Sequence, residues 1–143
     1  MRSVKSDPKK SVGKIVLVVD DNAAIRKMIA AAFLSDGFKT CVEAENGREG
    51  LEAAKRIQPD LITLDVSMPV MNGLEAAPRL RKLFPKTPII LFTMYGTKQL
   101  ENEASRLGVS LVLTKDIPLA TVVEEAHKLL APPIGRPILE KNE

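Results

Sequence analysis

The alternation of short apolar runs with amphipathic helical segments constrains the fold of this chain more than any other feature of its sequence. Four runs are continuously apolar or nearly so, and a fifth alternates apolar and polar residues: KIVLVV (14–19), LITL (61–64), IILF (89–92), LVL (111–113) and FKTCVEA (38–44). Continuous runs predict strands that are buried on both faces, and the alternating run predicts a strand nearer the edge of a sheet.

Segments with helical periodicity separate these runs. In the first segment apolar residues recur at the spacing i, i+3, i+4, i+7 and i+8, namely at Ile25, Met28, Ile29, Ala32 and Phe33. In the second, Asn46 and Glu49 predict an N-terminal cap, and Pro59 marks the end. The third contains Pro78 about one turn after its start, so we expect that helix either to start late or to be distorted. The last three helices are predicted over residues 74–84, 97–107 and 119–130.

The predicted order of elements is βαβαβαβαβα, within a single domain of residues 14–130. Such alternation with short connections predicts an α/β fold, in which a parallel sheet carries helices on both faces. Residues 1–13 are predicted to form a basic, disordered leader, since five of the six charged residues in 1–14 are basic. Residues 131–143 are rich in proline and predict an irregular tail. The net charge of +3 therefore reflects the leader, because the rest of the chain is close to neutral.

The composition excludes several classes of function. Aromatic residues make up 3% of the chain and tryptophan is absent, which argues against a surface that stacks on bases or sugars. The single cysteine, Cys41, excludes an intramolecular disulfide and fits a reducing compartment. No apolar run approaches the ~18 residues of a membrane span, and the N-terminus lacks the apolar core of a signal peptide. We therefore expect a cytoplasmic protein.

Polar residues follow four of the apolar runs directly or after one residue: Asp20 and Asp21, Asp65, Thr93, and Lys115. In an open parallel sheet the carboxyl ends of the strands share one edge, and ligands bind there. An ionised carboxylate at the end of a buried strand is costly unless it is paired or binds a metal. We therefore expect these side chains to lie together in one site.

The types of side chain in this set suit phosphoryl transfer. Three crowded carboxylates repel one another and require a cation, and oxygen ligands alone favour Mg²⁺. A lysine and a hydroxyl group beside that ion meet the needs of phosphoryl transfer, which are positioning and charge neutralisation. A carboxylate can itself accept the phosphoryl group as an acyl phosphate.

Together these residues resemble a known family. The segments VDDN (19–22) and LDVSMPVMNG (64–73), followed by Thr93 and Lys115, are similar to the receiver domain of bacterial two-component response regulators. The resemblance covers residues 14–130. It implies the flavodoxin-like receiver fold, with five parallel strands in the order 2-1-3-4-5 and helices on both faces.

The resemblance also implies a role for each residue of the set. Asp65 is the expected phosphoacceptor, and the donor is a histidine kinase or a phosphotransfer protein. Thr93 and Lys115 are expected to contact the phosphoryl group, with Thr93 reporting its presence. Met68-Pro69 and Asn72-Gly73 are expected to shape the loop after the third strand. The implied ligands of Mg²⁺ are the side chains of Asp20, Asp21 and Asp65 and the backbone carbonyl of Ser67.

Two departures from the family pattern concern the switch. The family usually has proline after the lysine, often through a cis bond, but Asp116 stands here. Because a cis bond without proline costs ~3 kcal/mol, we expect either a trans bond with a shifted loop or a strained bond. The family often has an aromatic residue three positions before the lysine, but Val112 stands here. The usual coupling is then either missing or taken over by another group such as Tyr95.

A third departure concerns access to the phosphoacceptor. A small residue usually follows the switch threonine, but Met94 stands here. We expect its bulk to narrow the approach to Asp65, with Ser67 as the other access-modulating residue. Slow reaction with small phosphodonors and slow autodephosphorylation would follow.

The favoured interpretation is a stand-alone receiver that is not an enzyme and acts through partner proteins. Only 13 residues follow Leu130, too few for a DNA-binding domain. Output is therefore expected through the face formed by the fourth helix, fifth strand and fifth helix, from a monomer or weak dimer. His127 is expected to be a surface residue of the last helix.

Two alternatives remain. One is a docking module that does not use phosphorylation, which Asp116 and Val112 favour slightly but the complete acidic set opposes. The other is a phosphatase with an aspartate nucleophile. Such an enzyme needs a general acid near the nucleophile, and Ser67 cannot supply one.

Overall fold

The computed structural model describes residues 13–131, which form five strands and five helices in strict alternation. The elements are β1 (Ile15–Val19), α1 (Ala23–Ser35), β2 (Thr40–Ala44), α2 (Gly47–Ile57), β3 (Leu61–Asp65), α3 (Gly73–Leu83), β4 (Ile89–Thr93), α4 (Lys98–Arg106), β5 (Leu111–Thr114) and α5 (Leu119–Leu130). Apart from Gly13 and Ala131, the predicted leader and tail lie outside the described residues. None of the described helices is long and apolar enough to cross a membrane.

All five strands pair in parallel, in the order β2-β1-β3-β4-β5. This is the predicted order 2-1-3-4-5, and it is confirmed. The strand order reverses between β1 and β3, so the carboxyl ends of these two neighbouring strands flank the switch point of the topology. Asp65 is the last residue of β3, and Asp20 directly follows β1.

The core consists of two apolar layers, one on each face of the sheet. Val16 and Val18 of β1 belong to the layer that is packed against α1 and α5. Leu17 and Val19 belong to the opposite layer, which is packed against α2 and α3 and includes Ala104 of α4. Successive side chains of a strand point to opposite faces, so a continuous apolar run serves both layers.

The expectation that LVL is buried on both faces is wrong for β5. All four of its residues are only half-buried, whereas every residue of β3 and β4 is buried. The reason is position, because β5 lies at one edge of the sheet and has a strand on one side only. A run of three apolar residues does not distinguish an edge strand from a central one.

The buried face of α1 also differs from the predicted one. Met28 is exposed, and Arg26 is buried together with Ile29, Ala30 and Phe33. The guanidinium group of Arg26 tolerates burial because it donates hydrogen bonds to the Asp20 carbonyl and to the Glu43 side chain. Charged residues are rarely buried without a partner, and the apolar spacing of α1 does not show which residues that partner comes from.

Helix α3 starts where its capping residues place it and continues through Pro78, so the late start that we considered does not occur. Asn72 accepts a hydrogen bond from the backbone of Glu75 at 2.9 Å, and the Glu75 side chain accepts one from the backbone of Asn72 at 3.0 Å. Pro78 has no N–H to donate within the helix. Nearby, the guanidinium group of Arg79 donates to the Glu75 carbonyl at 2.8 Å.

Asn46 caps α2 as predicted, accepting from the backbone of Glu49 at 2.9 Å.

His127 is not the surface residue that the sequence indicated, since its side chain is only 16% exposed. Its Nε2 atom lies 2.6 Å from Oδ2 of Asp36, just beyond the end of α1. Its ring is also packed near that of Phe38, with 5.4 Å between the centroids. These contacts arise because α5 is packed beside α1, a relationship between distant segments that helical periodicity does not report.

Candidate functional site

The three predicted carboxylates meet at the carboxyl edge of the sheet. One oxygen from each of Asp20, Asp21 and Asp65 lies within 4.8 Å of the others. Asp20 and Asp65 are almost completely buried, at 2% and 4% exposure, whereas Asp21 is exposed. The cluster therefore has two inner acids and one that faces solvent.

Lys115 reaches this cluster from the loop after β5. Its Nζ atom lies 2.9 Å from Oδ1 of Asp65 and 3.4 Å from Oδ2 of Asp20. The described residues contain no cis peptide bond, so the bond before Asp116 is trans. The loop is held by a bond from the Lys115 backbone N–H to the Thr93 carbonyl at 2.9 Å, and by a bond of 2.5 Å from the Thr114 hydroxyl to Asp116. The departure at Asp116 thus leaves Lys115 in contact with the acids.

Burial and charge act in opposite directions on the two central groups. Burial is the main reason that the pKa of Asp65 is raised, and the nearby charges of Asp20 and Asp21 add to the increase. The hydrogen bond and charge of Lys115 oppose that increase without cancelling it. For Lys115, burial alone would lower the pKa, but the contacts with Asp65 and Asp20 outweigh it and the pKa is raised. Lys115 is therefore held as the cation that balances part of this negative charge.

The donor set fits Mg²⁺. All three side chains offer carboxylate oxygens, the ligands that hard divalent cations prefer, and the exposed Asp21 leaves room for the waters that Mg²⁺ retains. One lysine cannot balance three carboxylates. Ser67 lines the adjoining open cleft of about 460 Å³ together with Asp21 and Asn72, so the loop that carries its backbone carbonyl borders the acids. The three clustered carboxylates, Asp20, Asp21 and Asp65, could hold a divalent cation.

Thr93 ends β4 as predicted, but its hydroxyl group is engaged elsewhere. The Oγ1 atom donates to the Tyr95 carbonyl at 3.1 Å and accepts from the Tyr95 backbone N–H at 3.2 Å. Within the described residues these are the hydrogen bonds of the Thr93 side chain. Met94 and Tyr95, which follow it, are strongly exposed, at 66% and 79%. The structure therefore brings Asp20, Asp21, Asp65 and Lys115 into contact and leaves the Thr93 hydroxyl outside that contact.

The loop between β3 and α3 is packed tightly behind Asp65. A Cβ atom at Gly73 would lie 2.3 Å from the Asp65 carbonyl oxygen, so only glycine fits there. The Gly73 N–H donates to the Val66 carbonyl at 3.0 Å, which closes the loop on itself. Val70 adopts a φ of 68°, in the left-handed region that branched residues avoid. The fixed position of Asp65 thus depends on this loop as well as on the sheet.

One residue at the site was not identified from the sequence. Arg26 donates from Nη1 to the backbone carbonyl of Asp20 at 2.8 Å and from Nε to Oε1 of Glu43 at 2.9 Å. Its position in the sequence could have indicated burial, since Arg26 lies three residues before Ile29 and seven before Phe33, on the same helical face. A charged residue on such a face indicates a buried partner.

Comparison with known proteins identifies the family. The profile of the response regulator receiver domain matches residues 16–127. The chain is 36% identical over 118 residues to the chemotaxis protein CheY of Thermotoga maritima, covering 82% of this chain and 98% of that protein. It is 32% identical over 115 residues to the CheY of Bacillus subtilis, covering 80% of this chain and 96% of that one.

A solved structure agrees with these sequence matches. The structure of Vibrio cholerae CheY4 superposes with a TM-score of 0.78 at 30% identity, covering 83% of this chain and all of that one. The fold, the acidic cluster at the switch point and the sequence matches therefore agree. The chain belongs to the response regulator receiver domain family of two-component signalling.

Proposed function

We propose that Asp65 is the phosphoacceptor of this receiver and takes its phosphoryl group from a histidine kinase or a phosphotransfer protein. An Oδ atom of the ionised carboxylate attacks the phosphorus atom, and an acyl phosphate bond forms. The P–N bond of the donor phosphohistidine breaks, and its electron pair returns to the imidazole nitrogen. The observation that carries this proposal is the convergence of Asp20, Asp21 and Lys115 on the buried Asp65 carboxylate.

The neighbouring groups supply charge neutralisation in this proposal. Lys115 already lies within hydrogen-bonding distance of Asp65 and is placed to bind a phosphoryl oxygen on that carboxylate. Asp20, Asp21, Asp65 and the Ser67 carbonyl would hold Mg²⁺, which when bound supplies positive charge beside the transferring group. The buried walls of the site strengthen each of these electrostatic contacts.

Thr93 is the proposed link between the site and the surface. Its hydroxyl group bonds to the backbone of Tyr95, and contact with a phosphoryl group on Asp65 would require exchange of those bonds. The loop that precedes α4 would change with it, in a shift between two states of one fold. We propose that the downstream partner reads this shift on the face of α4, β5 and α5.

The test is intact-protein mass spectrometry after incubation with Mg²⁺ and acetyl phosphate. We expect one phosphoryl adduct on the wild-type protein, no adduct on Asp65→Asn, and no adduct when Mg²⁺ is chelated. An adduct of equal yield on Asp65→Asn would contradict the proposal. Loss of the adduct in Asp65→Asn would identify Asp65 as the phosphoacceptor, because asparagine keeps the shape of the side chain and removes the nucleophile.

We propose a cytoplasmic signalling module, monomeric or weakly dimeric, rather than an enzyme. The alternative of a docking module without phosphorylation is less favoured, because such a module has no need for two buried carboxylates paired to one lysine. A buried charge cluster of this kind lowers the stability of the fold, and a role in phosphorylation would explain why the chain carries it. Steady hydrolysis of small phosphate esters would instead favour the phosphatase alternative.

A further inference from the structure

Arg26 is the most deeply buried basic residue that contacts the site, with a side chain only 10% exposed. It belongs to α1 and reaches across to two other segments. Its Nη1 atom donates to the Asp20 carbonyl at 2.8 Å, and its Nε atom donates to Glu43 of β2 at 2.9 Å. Neither partner is on its own helix, so the guanidinium group ties α1, β2 and the end of β1 together.

The Asp20 carbonyl belongs to the peptide unit that joins Asp20 to Asp21, and this unit sets the directions of both acids. Its oxygen is held by Arg26. On the other side of Asp20, the backbone N–H donates to the Ala44 carbonyl at 3.1 Å, and Oδ1 accepts from the backbone of Asn22 at 2.8 Å. Asp20 is thus fixed at its N–H, its carboxylate and its carbonyl, and Arg26 provides the last of these.

We propose that Arg26 is a positioning residue for the metal site, which fixes the Asp20–Asp21 peptide so that both carboxylates face Asp65. It does this from behind the peptide and takes no part in the chemistry. This inference rests on the proposed function, since it assigns a role in forming the Mg²⁺ site. Groups that orient metal ligands typically contribute 10–100-fold to metal affinity.

Arginine suits this role better than lysine. The planar guanidinium group presents donors in a rigid fork, so it holds the Asp20 carbonyl and Glu43 at the same time. A lysine ammonium is a single point on a flexible chain. Glu43 also contacts Lys27, whose Nζ atom lies 3.2 Å from Oε1, so the carboxylate that binds Arg26 is itself held in place.

The direction in which the Mg²⁺ affinity changes on loss of Arg26 distinguishes a positioning role from a purely electrostatic one. Removing a positive charge beside a cation site strengthens metal binding if only Coulomb forces act. Removing a positioning group weakens it. The double variant Arg26→Met with Glu43→Gln removes both side chains of this contact and leaves the net charge unchanged, so weaker Mg²⁺ binding in it would not come from a change in net charge.

Isothermal titration calorimetry with Mg²⁺ alone, at constant ionic strength, provides the test. We expect the double variant to bind Mg²⁺ at least about 10-fold more weakly than the wild-type protein. Arg26→Lys should give an intermediate affinity. Circular dichroism and the melting temperature establish that each variant is folded before it is titrated.

Arg81→Met is the control for loss of an arginine that holds backbone carbonyls. Arg81 also donates to backbone carbonyls, those of Gly108, Phe84 and Pro85, but it lies near the end of α3 and away from the acids. Its loss should lower stability and leave the Mg²⁺ affinity within about twofold of the wild-type value, since Arg81 holds no residue of the acidic cluster. A general loss of stability would affect both variants alike.

Each outcome decides the inference. Unchanged or tighter Mg²⁺ binding in folded Arg26 variants would overturn it, as would equal weakening in Arg81→Met. If no Arg26 variant folds, the role is structural and the inference fails. A wild-type protein that binds no Mg²⁺ overturns both this inference and the proposed function. If the wild-type protein binds Mg²⁺, gains no phosphoryl adduct and loses affinity on substitution of Arg26, only the phosphoacceptor proposal falls.

Discussion

Lys115 and Asp65 are 50 residues apart in the sequence, and their Nζ and Oδ1 atoms lie 2.9 Å apart in the structure. The lysine enters from an edge strand, and the aspartate ends the central strand. The same ammonium group also lies 3.4 Å from Asp20, so two buried acids share one cation. The remaining negative charge destabilises the metal-free site and favours binding of a divalent cation.

Replacement of Asp65 by asparagine is expected to stabilise the metal-free protein at neutral pH. The pKa of Asp65 is raised in the folded state, mainly by burial, so the ionised form opposes folding as the pH rises above the ordinary value of about 3.9. The gain in Asp65→Asn should therefore be largest near pH 7 and shrink as the pH falls towards 4. We expect a rise in melting temperature of about 3–5 °C at pH 7, roughly the effect of 1 kcal/mol in a domain of this size.

Thermal unfolding followed by circular dichroism between pH 4 and pH 8 provides this measurement. Asp21→Asn is the control, since that carboxylate is exposed and should give a smaller change. A melting temperature of Asp65→Asn below that of the wild-type protein at pH 7 would show that the contact with Lys115 outweighs burial.

Mg²⁺ is expected to stabilise the wild-type protein by mass action. At a concentration 100 times the dissociation constant, a ligand that binds only the folded state adds about 2.7 kcal/mol to the free energy of unfolding. Addition of EDTA should reverse the increase in melting temperature. Asp65→Asn should show little of it, because one of the three carboxylates is gone. Equal increases in both proteins would place the ion elsewhere.

Gly73→Ala is expected to be strongly destabilising. The new methyl group would lie 2.3 Å from the Asp65 carbonyl oxygen, and the backbone that carries the phosphoacceptor would have to move. A loss of about 2–3 kcal/mol is expected from overpacking, measured by urea denaturation. Gly50→Ala in α2 is the control, since its nearest neighbour is the Val19 side chain at 3.0 Å and alanine favours the helix. A loss in Gly73→Ala no greater than in this control would contradict the proposed clash.

Val70→Asn is expected to raise stability. Val70 has a φ of 68° and is 72% exposed, so its side chain gives little burial in return for the backbone strain. Asparagine adopts this region more readily, and the gain should be about 1 kcal/mol. Gln58, with a φ of 51°, offers a second test through Gln58→Gly. If Val70→Asn lowers the free energy of unfolding, the loop is held by contacts of the valine rather than strained by it.

Met94→Ala is expected to speed both phosphorylation by acetyl phosphate and autodephosphorylation, by several-fold. Met94 directly follows Thr93, the last residue of β4, and we expect that removal of its long side chain widens the approach to Asp65. Because Met94 is largely exposed, stability should change little. Rates measured by mass spectrometry over time, with Leu34→Ala as a remote exposed control, test this expectation. Unchanged rates would remove Met94 as an access residue.

The sequence by itself determined the order of elements, the sheet and the acids at its carboxyl edge. These depend on local periods, two residues for a strand and 3.6 for a helix, and on the rule that parallel strands end at a common edge. The placement of Asp20, Asp65 and Lys115 follows from that topology. The aspartate in place of proline at 116 did not displace the lysine, because hydrogen bonds from the Lys115 backbone and the Thr114 hydroxyl hold this loop.

Only the tertiary structure decided which partners distant side chains find. Arg26 is buried because the Asp20 carbonyl and Glu43 accept its hydrogen bonds, and the His127 side chain is only 16% exposed because Asp36 and Phe38 are packed against it. The Thr93 hydroxyl bonds to Tyr95 and not to the acids. The free energy of a buried polar group depends on whether a partner is within reach, and that distance exists only in the folded chain.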